Sequence, residues 1–202
     1  MAHYDRHTVP TCHRYATWAG ISPPLSCGAD LPVRDERPLR ELVMHLQAYG
    51  DAAFATQILH NNQRTWANPR APLKVEAAHS YAEILMCNGI ETLADANELL
   101  AEPDRLKIVE RDLATVSGHG SGARLAYLWM LLGDDGCIKP DRMVLRWLQV
   151  ALHRAVCTSA AVQLITEAAV RLGCTPWQLD HAIWEHQRKP SPLRARRQDG
   201  SA

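Results

Sequence analysis

Phenylalanine is almost missing from this chain: Phe54 stands alone beside six tryptophans and five tyrosines, so its large rings are indoles and phenols. Net charge is missing too. Twenty-two basic and twenty-two acidic side chains cancel, so any hold on a polyanion must come from local clusters. No apolar run approaches the length needed to cross a bilayer, and the opening MAHYDRHTVPTCHRY has no export-signal core. A cytoplasmic location is the resulting expectation. The six cysteines, at 12, 27, 87, 137, 157 and 174, form no C-x2-4-C pair, which removes the common zinc patterns. Cys87, Cys157 and Cys174 lie in apolar helical context and are expected to be reduced core thiols. Strand-like alternation of useful length is absent, and no internal repeat is evident.

What is present is the composition of a soluble globular protein, 47% apolar and 22% charged over 202 residues, enough for one domain with a real core. Residues 1–35 carry Pro10, Pro23, Pro24 and Pro32 without sustained periodicity and read as an irregular arm that packs through Trp18. Helical spacing begins at Glu36, with Leu39, Leu42, Val43, Leu46 and Tyr49 on one face and Gly50 as a stop. Asp51 caps a second helix, expected over 52–62, and Pro69 and Pro72 mark the loop after it. Further helices are predicted over 73–87, from Thr92 to Leu100, 104–115, 121–132, 141–155, 159–172 and 177–187. The fold class is therefore all-α, a bundle of eight or nine helices in one domain over 36–188. The tail from Lys189 is basic and expected to be disordered.

The most informative stretch is Val116-Ser117-Gly118-His119-Gly120-Ser121-Gly122, three glycines in five positions between two predicted helices. Main-chain N–H groups in such a turn approach an anion with no side chain in the way. Asp141 follows about twenty positions later, at the start of another helix.

This arrangement resembles the helix-hairpin-helix DNA glycosylase superfamily, the base-excision-repair fold that includes endonuclease III-like and adenine glycosylase-like enzymes. The specific part of the likeness spans Leu113–Trp147; the helices from about Glu36 to Leu100 fit only in general character. The resemblance implies a glycosylase-like bundle, a hairpin gripping one backbone phosphate of duplex DNA, and Asp141 as the essential carboxylate of N-glycosidic bond hydrolysis. The chain also departs from the pattern. Ser117 stands for the usual proline and His119 for an aliphatic residue. Gly122 stands where bifunctional members have lysine, so no Schiff base forms there and a member of this kind would not nick the strand. Met143 stands where a histidine often follows the aspartate, and the iron–sulfur cysteine cluster is missing. No cofactor is implied beyond a monovalent cation on the hairpin carbonyls.

The residues expected at the phosphates are Gly118, His119, Gly120, Ser121, Gly122, Arg124, Lys139, Arg142 and Arg146. Arg142 and Arg146 are i, i+4 neighbours, and Arg154 reads as a solvated charge. Candidates for a pocket that would receive an extruded base are Gln57, Asn61, Asn62 and Gln63, with Trp66 as a wedge or as a packed ring. Trp129 and Trp147 read as core, and Trp177 and Trp184, seven apart, as one buried stripe on the last helix. The tail adds Arg188, Lys189, Arg194, Arg196 and Arg197 in ten residues, an arm suited to salt-sensitive affinity for nucleic acid. His153, His181 and His186 are expected to make no i, i+4 pair with a carboxylate, so no metal is expected. Two alternatives stay open: a DNA-binding relative in which Asp141 is only an N-cap, and a helical module that contacts protein.

Overall fold

Gly50 adopts φ 74° and ψ 140°, a conformation glycine reaches freely and other residues do not, and this one residue separates two helices. Before it runs α2 (Leu39–Tyr49); after it α3 (Asp51–Ala53) passes directly into a π-helical turn over Phe54–Ile58. The wider turn is closed by Leu59 N–H donating to the Phe54 carbonyl at 3.0 Å, and His60 at φ 46° ends the run. The expected continuous helix over 52–62 is thus cut short at Ile58.

The computed structural model describes residues 11–20, 36–117 and 123–188. The hairpin glycines Gly118, Gly120 and Gly122, with His119 and Ser121, lie outside the described residues, as does the tail from Lys189. Among the described residues the fold is all-helical, with one isolated antiparallel bridge between Arg64 and Leu73. None of these helices is long and apolar enough to cross a membrane. The chain forms two compact units, Met1–Gly118 and His119–Ala202.

In the first unit α1 (Thr11–Trp18) occupies part of the stretch expected to be irregular. Eight residues between Pro10 and Gly20 are too short for periodicity to announce a helix; its rings hold it instead. Trp18 meets His45, Tyr49 and Phe54 edge-on at centroid distances of 4.7, 5.5 and 5.6 Å. These rings sit on a core of Leu46, Phe54, Ala55, Leu73 and Val75. Next come α4 (Lys74–Cys87), α5 (Leu93–Leu100) and α6 (Pro103–Leu113), with α4 packed on α2, α3 and α6. Thr92 caps α5 as its sequence position predicts: its hydroxyl accepts from Asp95 N–H at 3.2 Å, and the Asp95 carboxylate accepts from Thr92 N–H at 2.9 Å. A further N–H from Glu91 does most to hold the Asp95 carboxyl below its ordinary pKa.

The second unit contains α7 (Ala123–Leu131), α8 (Arg142–Leu152), α9 (Thr158–Leu172) and α10 (Pro176–Arg188). The last three pack on one another around Ile138, Val144, Leu148, Ala161, Ile165 and Ile183. Gly173 at φ 69° closes α9, and Thr175 with Gln178 forms a reciprocal cap on α10. Trp129 is buried and Trp147 packs on this core, both as expected. The cysteines are a correction. Cys87, Cys137, Cys157 and Cys174 are free thiols, but Cys87 and Cys157 are exposed because each falls at a helix end and not on a buried face.

Candidate nucleic-acid interface

The segment between α7 and α8 is folded by its own short side chains before any ligand is considered. Asp134 accepts from Gly136 N–H at 2.8 Å and from the Cys137 thiol at 3.1 Å, making a tight turn. Ile138 is then buried in the core of the second unit, which fixes where the chain emerges. Lys139, buried Pro140 and Asp141 follow as an extended lead into α8.

Asp141 is the N-cap of α8. Its Oδ1 accepts from Met143 N–H at 2.7 Å and from Val144 N–H at 3.3 Å, and its Oδ2 lies 3.4 Å from Lys139 Nζ. About a quarter of the Asp141 side chain remains exposed. The Lys139 ammonium also sits over the Tyr127 ring, 4.4 Å from its centroid, so it is held between an aromatic face and a carboxylate. Arg142 and Arg146 are exposed on α8, and Arg124 is half-buried on α7. Of the expected phosphate contacts, then, Lys139 is drawn to Asp141, and the two α8 arginines face solvent.

Asp180 belongs to this cluster, although no motif or spacing in the sequence points to it. It is buried, and its Oδ2 accepts from Lys139 N–H at 2.7 Å. Burial pushes its carboxyl above the ordinary pKa; the Lys139 N–H opposes this, and the nearby Asp141 charge adds to it. Nothing local in the sequence announces such a residue, because its partner lies 41 positions earlier.

The base-pocket candidates belong to the first unit. Gln57 is exposed on the π-helical turn. The acceptors that follow are used within the loop: Asn61 Oδ1 takes Gln63 N–H at 3.0 Å, Asn62 Oδ1 takes the Thr56 hydroxyl at 3.0 Å, and Gln63 Oε1 takes Lys74 Nζ at 2.6 Å. Arg64 reaches the Ala71 carbonyl across the same loop, and Trp66 beside it is 46% exposed.

On α10 the expected buried stripe is corrected. Leu179, Asp180 and Ile183 take the inward face, and Trp177 is left 36% exposed. Trp177, His181 and Trp184 form a column on the neighbouring face, with centroid spacings of 5.4 and 5.8 Å and interplanar angles of 2° and 22°. His181 Nε2 also lies 3.7 Å from Glu185, an i, i+4 pair contrary to expectation. Among the described residues no group of three or more His, Cys, Asp and Glu is arranged to hold a metal ion.

Residues 1–188 match the family described as a domain of unknown function (DUF8548), and the chain belongs to that family. No curated protein and no solved structure matches it.

Proposed function

We propose that this chain binds the backbone of duplex DNA in the helix-hairpin-helix manner, with a glycosylase-like bundle as its scaffold. The glycine-rich segment Gly118–Gly122 supplies main-chain N–H groups to one phosphate, and Arg142 and Arg146 extend the contact along the strand. The observation that carries this reading is the exposure of both arginines one turn apart on α8, directly after a lysine and a capped helix start. Neither guanidinium has to be withdrawn from the core to meet a phosphate.

The test is retention of the full-length chain on duplex DNA as salt is raised. Counterion release requires the affinity to fall linearly on logarithmic axes, and the double substitution Arg142→Ala, Arg146→Ala should flatten the slope by roughly two. Binding with no salt slope would refute the reading and favour a protein-contacting module.

A second reading adds hydrolysis of an N-glycosidic bond, with Asp141 stabilising the cationic sugar. It is supported by the partial exposure of the Asp141 carboxylate at a helix start and by the Lys139 ammonium 3.4 Å from it. Strand cleavage is not part of it, since Gly122 offers no amine. Asp141→Asn separates the two readings. An enzyme loses base release from uracil-, alkyl- or oxidised-base oligonucleotides and keeps DNA affinity, whereas the non-catalytic protein releases no base in either form.

A further inference from the structure

The loop before α4 is a closed frame. Arg64 and Leu73 form the antiparallel bridge, with Lys74 N–H donating to the Gln63 carbonyl at 2.8 Å and Thr65 N–H to the Pro72 carbonyl at 2.9 Å. Within the frame, Ala71 N–H donates to the Asn68 carbonyl at 3.0 Å and Arg70 N–H to Asn68 Oδ1 at 2.8 Å. Thr65 and Ala71 are buried and anchor its two sides. Trp66 follows the first anchor directly, yet it stays 46% exposed. Among the described residues it meets no other ring, unlike Trp18, Trp177 and Trp184. One exposed ring is ordinary on a protein surface. Its surroundings set this one apart.

No Asp or Glu occurs between Asp51 and Glu76, whereas Arg64, Arg70 and Lys74 all belong to this loop or its edge and are exposed. Arg64 donates to the Ala71 carbonyl and Lys74 Nζ to Gln63 Oε1 at 2.6 Å. Both acceptors are neutral, so these bonds hold the side chains in place and leave their charges uncompensated. Positive charges around one open indole on a rigid loop match a ligand that joins flat rings to phosphates. Insertion into a bilayer surface would call for further large apolar groups beside the ring, and its neighbours in the turn are Ala67, Asn68, Pro69 and Arg70. A paired duplex keeps its base faces stacked inside; an unpaired strand offers them.

We propose that the loop over 64–74 is a contact site for an unpaired polynucleotide strand, with a base stacked on Trp66 and phosphates drawn to Arg64, Arg70 and Lys74. This contact belongs to the first unit and rests on neither Gly118–Gly122 nor the α8 arginines.

The experiment is fluorescence anisotropy of labelled fifteen-nucleotide deoxythymidine and uridine strands, and of a duplex of the same length, against the full-length chain. At one fixed salt concentration Trp66→Ala should weaken strand binding roughly fivefold or more, the low end of what one base stacked on an aromatic ring contributes. Trp66→Phe keeps a flat ring and should stay within about twofold of the original protein. With unchanged thermal unfolding, that variant guards against loss of fold. Over a salt series the double substitution Arg70→Ala, Lys74→Ala should flatten the strand's logarithmic slope by about 1.4, the share of two phosphates on a single strand. Duplex affinity should not respond to Trp66. The tighter of the two strands identifies the sugar, and either one supports the proposal. It is overturned if neither strand binds, if Trp66→Ala binds equally well, if the double variant keeps the full slope, or if strand and duplex lose affinity together. Loss confined to phosphatidylserine vesicles would overturn it in favour of a lipid surface. Failure of the backbone reading appears elsewhere, as a duplex arm with no salt-dependent binding while the strand arms still respond to Trp66.

Discussion

The main-chain N–H of Lys139 donates to Oδ2 of Asp180 over 2.7 Å, joining residues 41 positions apart. This bond fixes the backbone two residues before the α8 cap, and the Lys139 side chain then reaches the cap itself at 3.4 Å. A single buried carboxylate on α10 therefore positions the ammonium that faces Asp141.

Removing the Asp180 acceptor should be costly in a way that removing its charge is not. Asp180→Ala leaves the Lys139 N–H without its partner in a buried setting and should destabilise the chain by about 1–3 kcal/mol. Asp180→Asn keeps a carbonyl oxygen at the same position and should lose less than half of that. Urea unfolding of both variants decides it, and equal losses would show that charge, not the bond, matters.

That contact also marks where sequence reasoning stops. Helix ends were legible because they rest on neighbours: Gly50, Thr92, Pro103, Asp141, Gly173 and Thr175-Pro176 all act within one turn, and each sits where its residue type predicts. Helix α1 was not legible, since its order comes from Trp18 meeting rings on α2 and the π-helical turn and not from its own spacing. The π turn was equally silent; Phe54–Ile58 has an ordinary helical pattern and differs only in which carbonyl each N–H meets. At the candidate site, Asp141 as a helix start was readable, but its tie to α10 through Lys139 was not. The His181–Glu185 pair overturns the expectation of no such pair, although its i, i+4 spacing is plain in the sequence.

The raised carboxyl of Asp180 has a definite sign in stability against pH. The unfolded chain releases this proton near the ordinary value of 3.8, and the folded chain holds it to higher pH because burial penalises the charged form. Between those two points the folded state binds more protons, so unfolding free energy falls as pH rises. The stabilising share of Asp180 is complete below the ordinary value and is lost as pH climbs through the folded one. Subtracting the stability of Asp180→Asn from that of the original chain should give a difference that declines across that window and is flat on either side. A difference that rises with pH would contradict the burial argument.

Gly50 should resist replacement although there is room for a side chain. A Cβ there would meet nothing within 4 Å, so the whole penalty is conformational, set by φ 74°. Gly50→Ala is expected to cost about 1–3 kcal/mol, read from thermal or urea unfolding. Gly136 lacks a positive φ and lies beside Asp134 Oδ1 at 3.1 Å, so its alanine variant probes crowding instead of backbone strain. A neutral Gly50→Ala would mean that the joint between α2 and α3 relaxes.

Phe54, the sole phenylalanine, should couple the stability of α1 to the rest of the first unit. It is 1% exposed, and it meets Trp18 at 5.6 Å, Tyr15 at 6.0 Å and Tyr49 at 6.1 Å. Truncation to alanine removes the ring on which two residues of α1 rest and should cost about 3–5 kcal/mol overall. Phe54→Leu keeps most of the volume and should cost less. The diagnostic readout is hydrogen exchange, because the loss is unevenly spread: α1 has few contacts apart from these rings, so its amides should lose protection first and most in Phe54→Ala. Helix α6 is held by buried Val109 and Leu113, which do not belong to the ring cluster, and should keep protection up to the global unfolding limit. Uniform loss across α1 and α6 would show that the first unit unfolds only as a whole, with Phe54 one core residue among many.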